Sequence, residues 1–300
     1  MDNPKPDKPP VCDYEGSSYQ STFWDIGERD YEDRVEAIAL KRLLPKKGEL
    51  LLEVGAGAGR NTPRYQGYQR IVVMDYSTTQ LKQAQERLGR SERYTYVAAD
   101  VYNLPFVPGL FDGATMIRVL HHMADPKLAL TQIRETLQPK AAFILEYANK
   151  RNLKAIFRYW MGRQNWDPFS LEAVEFAELN FDFHPKAVRS WLREAGYKTR
   201  RQLTVSHFRI EILKRFLPTG LLVWLDSLFQ YTGALFQLTP SVFLKAQAAG
   251  ETAIAQEGMF FRCPACKTPL EETGGDHLVC ECGLKWGIED GIYNFKEPVA

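Results

Sequence analysis

The hydrophobic pattern changes period along the chain. Residues 31–44, YEDRVEAIALKRLL, place Val35, Ile38, Ala39, Leu43 and Leu44 at helical spacing. Pro45 and Gly48 end that helix. Beyond it, short apolar runs alternate with amphipathic stretches. LLLEV (50–54), IVVMD (71–75), YTYVAAD (94–100), FDGATMIRVL (111–120) and AAFILEYA (141–148) read as buried strands. A helix is expected from Asn61 onward, another over 78–88 with Ser77 as its N-cap, and a third from Pro126 to Leu137. PKAVRSWLREAG (185–196) carries an apolar stripe at Val188, Trp191, Leu192 and Ala195 and stops at Gly196. Two further strands are expected near 201–208 and 241–245. Apolar strands alternating with helices predict a seven-stranded, doubly wound α/β sheet with helices on both faces.

Two segments break the alternation. Residues 149–183 form a polar and aromatic insertion that contains FRYWMGRQNWDPF. Residues 211–238 are long, helical in pattern and very apolar. A small, polar stretch over 249–258 reads as a linker. The domain expectation is therefore an N-terminal arm over 1–30, a main domain over 31–248 with a helical insertion at 211–238, and a cysteine-bearing tail over 259–300.

Composition changes this picture little. The apolar and charged fractions are ordinary, and the net charge of +1 gives no global pull toward nucleic acid or anionic lipid. The start, MDNPKPDKPP, is proline-rich and lacks the apolar core of a signal peptide, so it reads as a partly disordered arm of a cytoplasmic protein. Four of the five cysteines fall between 263 and 282, which reads as a metal site before disulfides. Cys12 receives no role.

The sharpest local signal is LLEVGAGAGRNTPRY (51–65). A strand running into Gly55, Gly57 and Gly59 and then a helix has the shape of a nucleotide-binding first crossover. Taken alone, that pattern is shared with dinucleotide-binding enzymes. Glu53, just before the first glycine, suits a ligand with an ammonium group and would repel a pyrophosphate. Asp75, at the end of the second strand, can accept both hydroxyls of a ribose. Asp100, followed by apolar Val101, suits an exocyclic amine beside an apolar wall.

LLEVGAGAGRNT, VVMDYS, YVAADVYNLPF and FDGATMIRVLHHMADP together resemble successive motifs of class I S-adenosylmethionine-dependent methyltransferases, of the type 11 group that includes quinone and sterol methylases. The likeness covers residues 30–148, and DFHPKAVRSWLREAGY resembles that family's late helix. It implies a Rossmann-like methyltransferase sheet. Glu53, Gly55, Gly57 and Gly59 would then line the methionine end of S-adenosylmethionine. Asp75 and Tyr76 would hold the ribose and adenosine, Asp100 and Val101 the adenine, and Arg118 with Val119 the opposite side. An acceptor proton needs at most one base. His121 and Glu146 are the leading candidates, ahead of His122 and Tyr147, with His184 read as a helix cap.

The acceptor expected is a small or lipid-like molecule, a quinone among them. The 217–238 stretch could span a bilayer in length, but Pro218, Gly220, Asp226 and Gln230 make it a poor transmembrane helix. A pair of amphipathic helices lidding the site is the first reading of 211–238, and peripheral docking on a membrane is the second. CPAC (263–266) and CEC (280–282) put Cys263, Cys266, Cys280 and Cys282 near the spacing of a structural zinc ribbon, with one knuckle a residue short. The tail over 260–296 also resembles the Trm112-like (UPF0434) small domain, which implies a partner-type activator module tethered in cis. Two other readings stand beside the first: an RNA or protein methyltransferase aided by the ribbon, and a catalytically silent scaffold. The tail's balance of acids and bases gives no stripe for phosphate binding.

Overall fold

The computed structural model describes residues 8–13, 15–16, 29–251, 253–271 and 275–299. Most of the arm expected over 1–30 lies outside them. In chain order the helices are α1 (Asp30–Leu43), α2 (Thr78–Leu88), α3 (Pro126–Thr136), α4 (Leu153–Trp160), α5 (Pro185–Glu194), α6 (Glu211–Phe216) and α7 (Thr219–Phe229). The strands are β1 (Gly48–Val54), β2 (Tyr68–Asp75), β3 (Tyr94–Ala98), β4 (Phe111–Met116), β5 (Leu137–Ala148), β6 (Val174–Ala177), β7 (Asn180–Asp182), β8 (Tyr197–Val205) and β9 (Ser241–Ala248). The tail adds β10 (Phe261–Arg262), β11 (Pro269–Leu270), β12 (His277–Val279), β13 (Lys285–Glu289) and β14 (Ile292–Asn294).

Local chemistry sets the helix starts. The Ser77 hydroxyl accepts from the Gln80 N–H, and the Asp125 carboxylate accepts from the Leu128 N–H with Pro126 at the first position. α1 opens with Asp30, Glu32 and Asp33 and closes with Lys41 and Arg42, which suits its dipole. The helix expected after the glycine loop is only a 3-10 turn, Thr62–Arg64. β2 begins at Tyr68, three residues before its expected start at 71, and buried Tyr65 and the turn before it leave no room for a longer helix. The fourth strand stops at Met116, since Arg118 turns to a φ of 60°.

The sheet order is β12-β13-β14-β3-β2-β1-β4-β5-β9-β8. Seven of these strands form the expected doubly wound sheet, with β9 antiparallel to both neighbours. The other three come from the tail. β14 pairs in parallel with β3, Ile292 opposite Tyr96 and Asn294 opposite Ala98, so the tail extends the central sheet.

Two apolar layers cover the sheet. On one face α1, α2 and α7 bury Val35, Leu40, Leu81 and Leu222. On the other, α3 and α5 share a continuous core with the tail, through Phe261, Leu278, Trp286 and Phe295. Phe261 stacks on Phe106 at 5.9 Å, in a β3–β4 connection that carries only the short turn Val101–Asn103 in place of a full helix. The stretch read as a linker is pinned too: the Ala255 N–H donates to the Gly109 carbonyl, and a Cβ on Gly109 would come within 1.8 Å of the Ala253 carbonyl oxygen.

Candidate active site

A cavity opens at the carboxyl ends of β1, β2 and β4, where ligands bind in such sheets. Glu53, Gly55, Gly57, Asp75, Tyr76, Val101 and Arg118 line it, as does Val119. Gly57 has a φ of 55° and its N–H donates to Asp75 Oδ2 at 2.8 Å. The Ser77 N–H donates to Asp75 Oδ1 at 2.9 Å. Each carboxylate oxygen keeps a second lone pair, so the group can still accept from two hydroxyls. Gly55, φ 67°, lies so close to Val119 that a Cβ would meet its methyl at 2.2 Å.

Glu53 is buried and accepts from the Thr62 hydroxyl at 2.6 Å. Burial pushes its carboxyl up to about 7. An ammonium entering the cavity would reverse that penalty. Burial also raises Asp75, against the pull of its backbone donors.

Four expected residues stand elsewhere. Gly59 packs against α2, where a Cβ would meet Leu88 at 2.9 Å, and it is absent from the cavity wall. Asp100 accepts from the Tyr102 N–H at 2.8 Å and caps the short turn Val101–Asn103; Val101, not Asp100, forms the wall. Glu146 is buried behind the site. Its Oε2 accepts from the Arg118 N–H at 3.0 Å and its Oε1 from the Ser241 hydroxyl at 2.6 Å. It holds the left-handed backbone at Arg118 and does not face the cavity. His121 is off the wall as well, with Nδ1 buried and without a hydrogen-bond partner among the described residues.

His122, ranked behind His121 on sequence, does line the cavity. Its Nδ1 lies 3.1 Å from the Leu179 carbonyl in the β6–β7 turn. A carbonyl only accepts, so Nδ1 carries the proton and Nε2 is the basic nitrogen. Burial lowers the pKa of His122, which favours the neutral ring. Tyr147 is fully buried away from the cavity, and His184 caps α5 by accepting from the Lys186 N–H.

Sequence reading gave no part to the arm or to a charged cluster behind the wall. Val11 and Cys12 line the cavity. The Glu15 carboxylate accepts from the Thr78 and Thr79 N–H groups at the start of α2, and Lys296 of the tail reaches Glu15 at 3.5 Å and the Tyr76 ring at 5.2 Å. Arg60 and Arg118, both on the wall, converge on buried Glu36 of α1. The paired arginines hold the Glu36 carboxyl below its ordinary value against burial.

In the tail, Cys263, Cys266, Cys280 and Cys282 bring their sulfurs within 4.8 Å of one another. Sulfurs bound tetrahedrally to zinc sit about 3.8 Å apart, so the donor set fits. Cys263 and Cys280 are buried in the shared core, and the other two are exposed.

A profile described as a methyltransferase domain matches residues 52–145. The chain carries a methyltransferase domain. That domain holds the glycine loop, both acidic strand ends and His122. The O-methyltransferase cnsE of Penicillium expansum is 32% identical over 137 residues, 44% of this chain and 48% of that protein. The chain spans about half the length of the curated relatives it matches first. Among solved structures, one chain of the complex between the Haloferax volcanii Trm112 methyltransferase activator and a methyltransferase aligns with a TM-score of 0.55 at 15% identity, covering 78% of this chain and 97% of that one. An S-adenosylmethionine-dependent methyltransferase from Mesorhizobium loti aligns with a TM-score of 0.51 at 15% identity, covering 71% and 97%. At these identities the structures establish a shared methyltransferase fold. No described helix is long and apolar enough to cross a membrane.

Proposed function

We propose that the protein uses S-adenosylmethionine to methylate an oxygen of a small, largely apolar acceptor. The observation that carries the reading is the convergence of Glu53, Asp75 and the open Gly55–Gly57 backbone on one cavity. Asp75 would hold the ribose hydroxyls, Glu53 the ammonium, and Tyr76 with Val101 the adenosine. When bound, the cofactor supplies an electrophilic methyl group on a sulfonium. The chain's own work is to orient the acceptor, exclude water and manage one proton.

His122 is the base this geometry favours. With Nδ1–H donated to Leu179, Nε2 can take the acceptor's hydroxyl proton and later release it to solvent. Glu146 acts through Arg118 as a positioning residue. The oxygen acceptor follows the curated relative's designation as an O-methyltransferase. A lipid-like or quinone-like acceptor suits the apolar insertions, because the β6–β7 turn of the first touches His122.

The four tail thiolates would hold a structural zinc with no open position for catalysis. The tail's apolar face is buried on the sheet, which supports a cis-acting structural role and leaves nucleic-acid recognition by that face without support.

Calorimetry with S-adenosylmethionine tests the cofactor reading directly. Wild type should bind at micromolar concentration, and Asp75→Ala should weaken binding by about a hundredfold through loss of two charge-assisted bonds. A folded, zinc-loaded wild type that fails to bind would refute the reading and favour the scaffold. Once labelled-methyl transfer identifies an acceptor, His122→Asn should keep cofactor affinity and lower transfer by about a hundredfold.

A further inference from the structure

All but four of the exposed large apolar side chains among the described residues lie in the two insertions or, in the case of Ile210, directly before the second. The exceptions, Ile254, Met259, Val279 and Val299, belong to the stretch after the sheet's last core strand. Single exposed apolar residues are ordinary on a soluble surface, but a concentration of this kind marks an interaction face.

α4 shows the pattern most clearly. Ala155 and Ile156 are buried, while Leu153, Phe157 and Trp160, at helical spacing, are 62%, 61% and 71% exposed. Arg151, Lys154, Arg158 and Arg163 flank that stripe, and no acid occurs between 151 and 163. In a chain of net charge +1 this is a local cationic patch. The first insertion's exposed acids, Glu172, Glu175 and Glu178, come later, before and within the β6–β7 hairpin.

The second insertion meets α4 at its C-terminal end, and at its N-terminal end the two share the carboxylate of Asp182. The Leu153 N–H donates to the Leu238 carbonyl at 2.8 Å, next to exposed Leu235 and Phe236. Arg158 of α4 and Arg209, just before α6, both act on the Asp182 carboxylate. The hairpin that carries Asp182 also holds His122 of the cavity through the Leu179 carbonyl.

We propose that α4 and the adjoining ends of the second insertion dock the protein on an anionic lipid bilayer. Phe157, Trp160 and Phe236 enter the boundary between headgroups and acyl chains, and Lys154 and Arg163 meet lipid phosphates. Aromatic rings beside snorkelling cations form an interfacial composition, and α4 is far too short to cross. A second copy of the chain is a poorer occupant, since a self-pairing of this face would oppose like charges. The expectation from sequence placed membrane contact in 211–238; the structure assigns the leading element to α4 instead. This inference stands apart from methyl transfer, since a bilayer contact needs neither cofactor nor acceptor.

The test is flotation of the full chain with vesicles of mixed phosphatidylglycerol and phosphatidylcholine, and with phosphatidylcholine alone. Wild type should float with the mixed vesicles, shift its tryptophan emission to the blue and dissociate as salt rises. Phe157→Glu with Trp160→Glu should weaken partitioning by about tenfold or more. Lys154→Glu with Arg163→Glu should weaken binding to the anionic vesicles by about tenfold. Both variants are confined to exposed positions, and unchanged circular dichroism and cofactor affinity confirm that they fold. Three results would overturn the proposal: folded wild type that leaves both vesicles, equal binding to both, or partitioning that neither double variant alters. A wild-type dimer without vesicle affinity, converted to monomer by Phe157→Glu with Trp160→Glu, would assign the face to a second copy.

Discussion

The cysteine tail and the two insertions are all additions to one seven-stranded sheet, yet they place their aromatic side chains oppositely. The tail buries Phe261, Trp286 and Phe295 in the core that also holds side chains of β1, β2 and β3. The insertions turn Phe157, Trp160, Phe216 and Trp224 outward. The same residue types therefore serve two ends: completing a core that lacks a helix, and leaving a face open for another phase. Sequence composition alone does not separate these uses; the pairing of β14 with β3 does.

The contrast can be broken most strongly at the four tail cysteines, the proposed zinc site. Structural zinc supplies on the order of 10 kcal/mol in small domains. Stripping it with a chelator, or Cys263→Ser, should release the tail and bare the sheet face, with the largest fall in thermal midpoint of any change here. Calorimetric scanning checks this, and a metal-free protein with an unchanged midpoint would refute the shared core. Phe261→Ala should cost about 3–5 kcal/mol in urea unfolding, because its ring is packed on three sides. Trp160→Ala should change stability by no more than about 0.5 kcal/mol, although it removes an even larger ring. Equal costs at the two positions would erase the distinction between buried tail and exposed insertion.

The site between these regions gives a gentler test. Burial raises Glu53 to about 7, so much of it is protonated near neutrality in the free protein. An ammonium pairs with the ionised form. Cofactor affinity should therefore rise as pH rises through 7 and fall below it, by up to about tenfold per pH unit. Glu53→Gln should bind weakly at all pH values and flatten the profile. Calorimetry at about pH 6 and about pH 8 checks both.

Much of the fold was legible because parallel strands buried on both faces read as continuous apolar runs. Residues 50–54 and 71–75 show this, and their acids Glu53 and Asp75 fall at the cavity by the geometry of the crossover. What escaped was set by contacts distant in sequence. Gly59 belongs to the glycine repeat, but Leu88 of α2 decides its role. Glu146 ends a strand at the right rim, yet Arg118 and Ser241 take both its oxygens. His121 and His122 are adjacent and alike in sequence; only the Leu179 carbonyl, far along the chain, separates them. The short turn at Thr62–Arg64 depends on where β2 begins. The tail's strand could not be read at all, since three residues carry no register until β3 is beside them.

That strand also bears on how the chain is made. β14 joins β3 across roughly two hundred residues of sequence, and such distant pairings form late. During synthesis β3 leaves the ribosome long before its partner, with one edge unpaired and the apolar sheet face beside it uncovered. The nascent protein is thus most open to wrong pairing while translation of the tail is still under way. Slowing elongation downstream of β3 would lengthen that vulnerable interval.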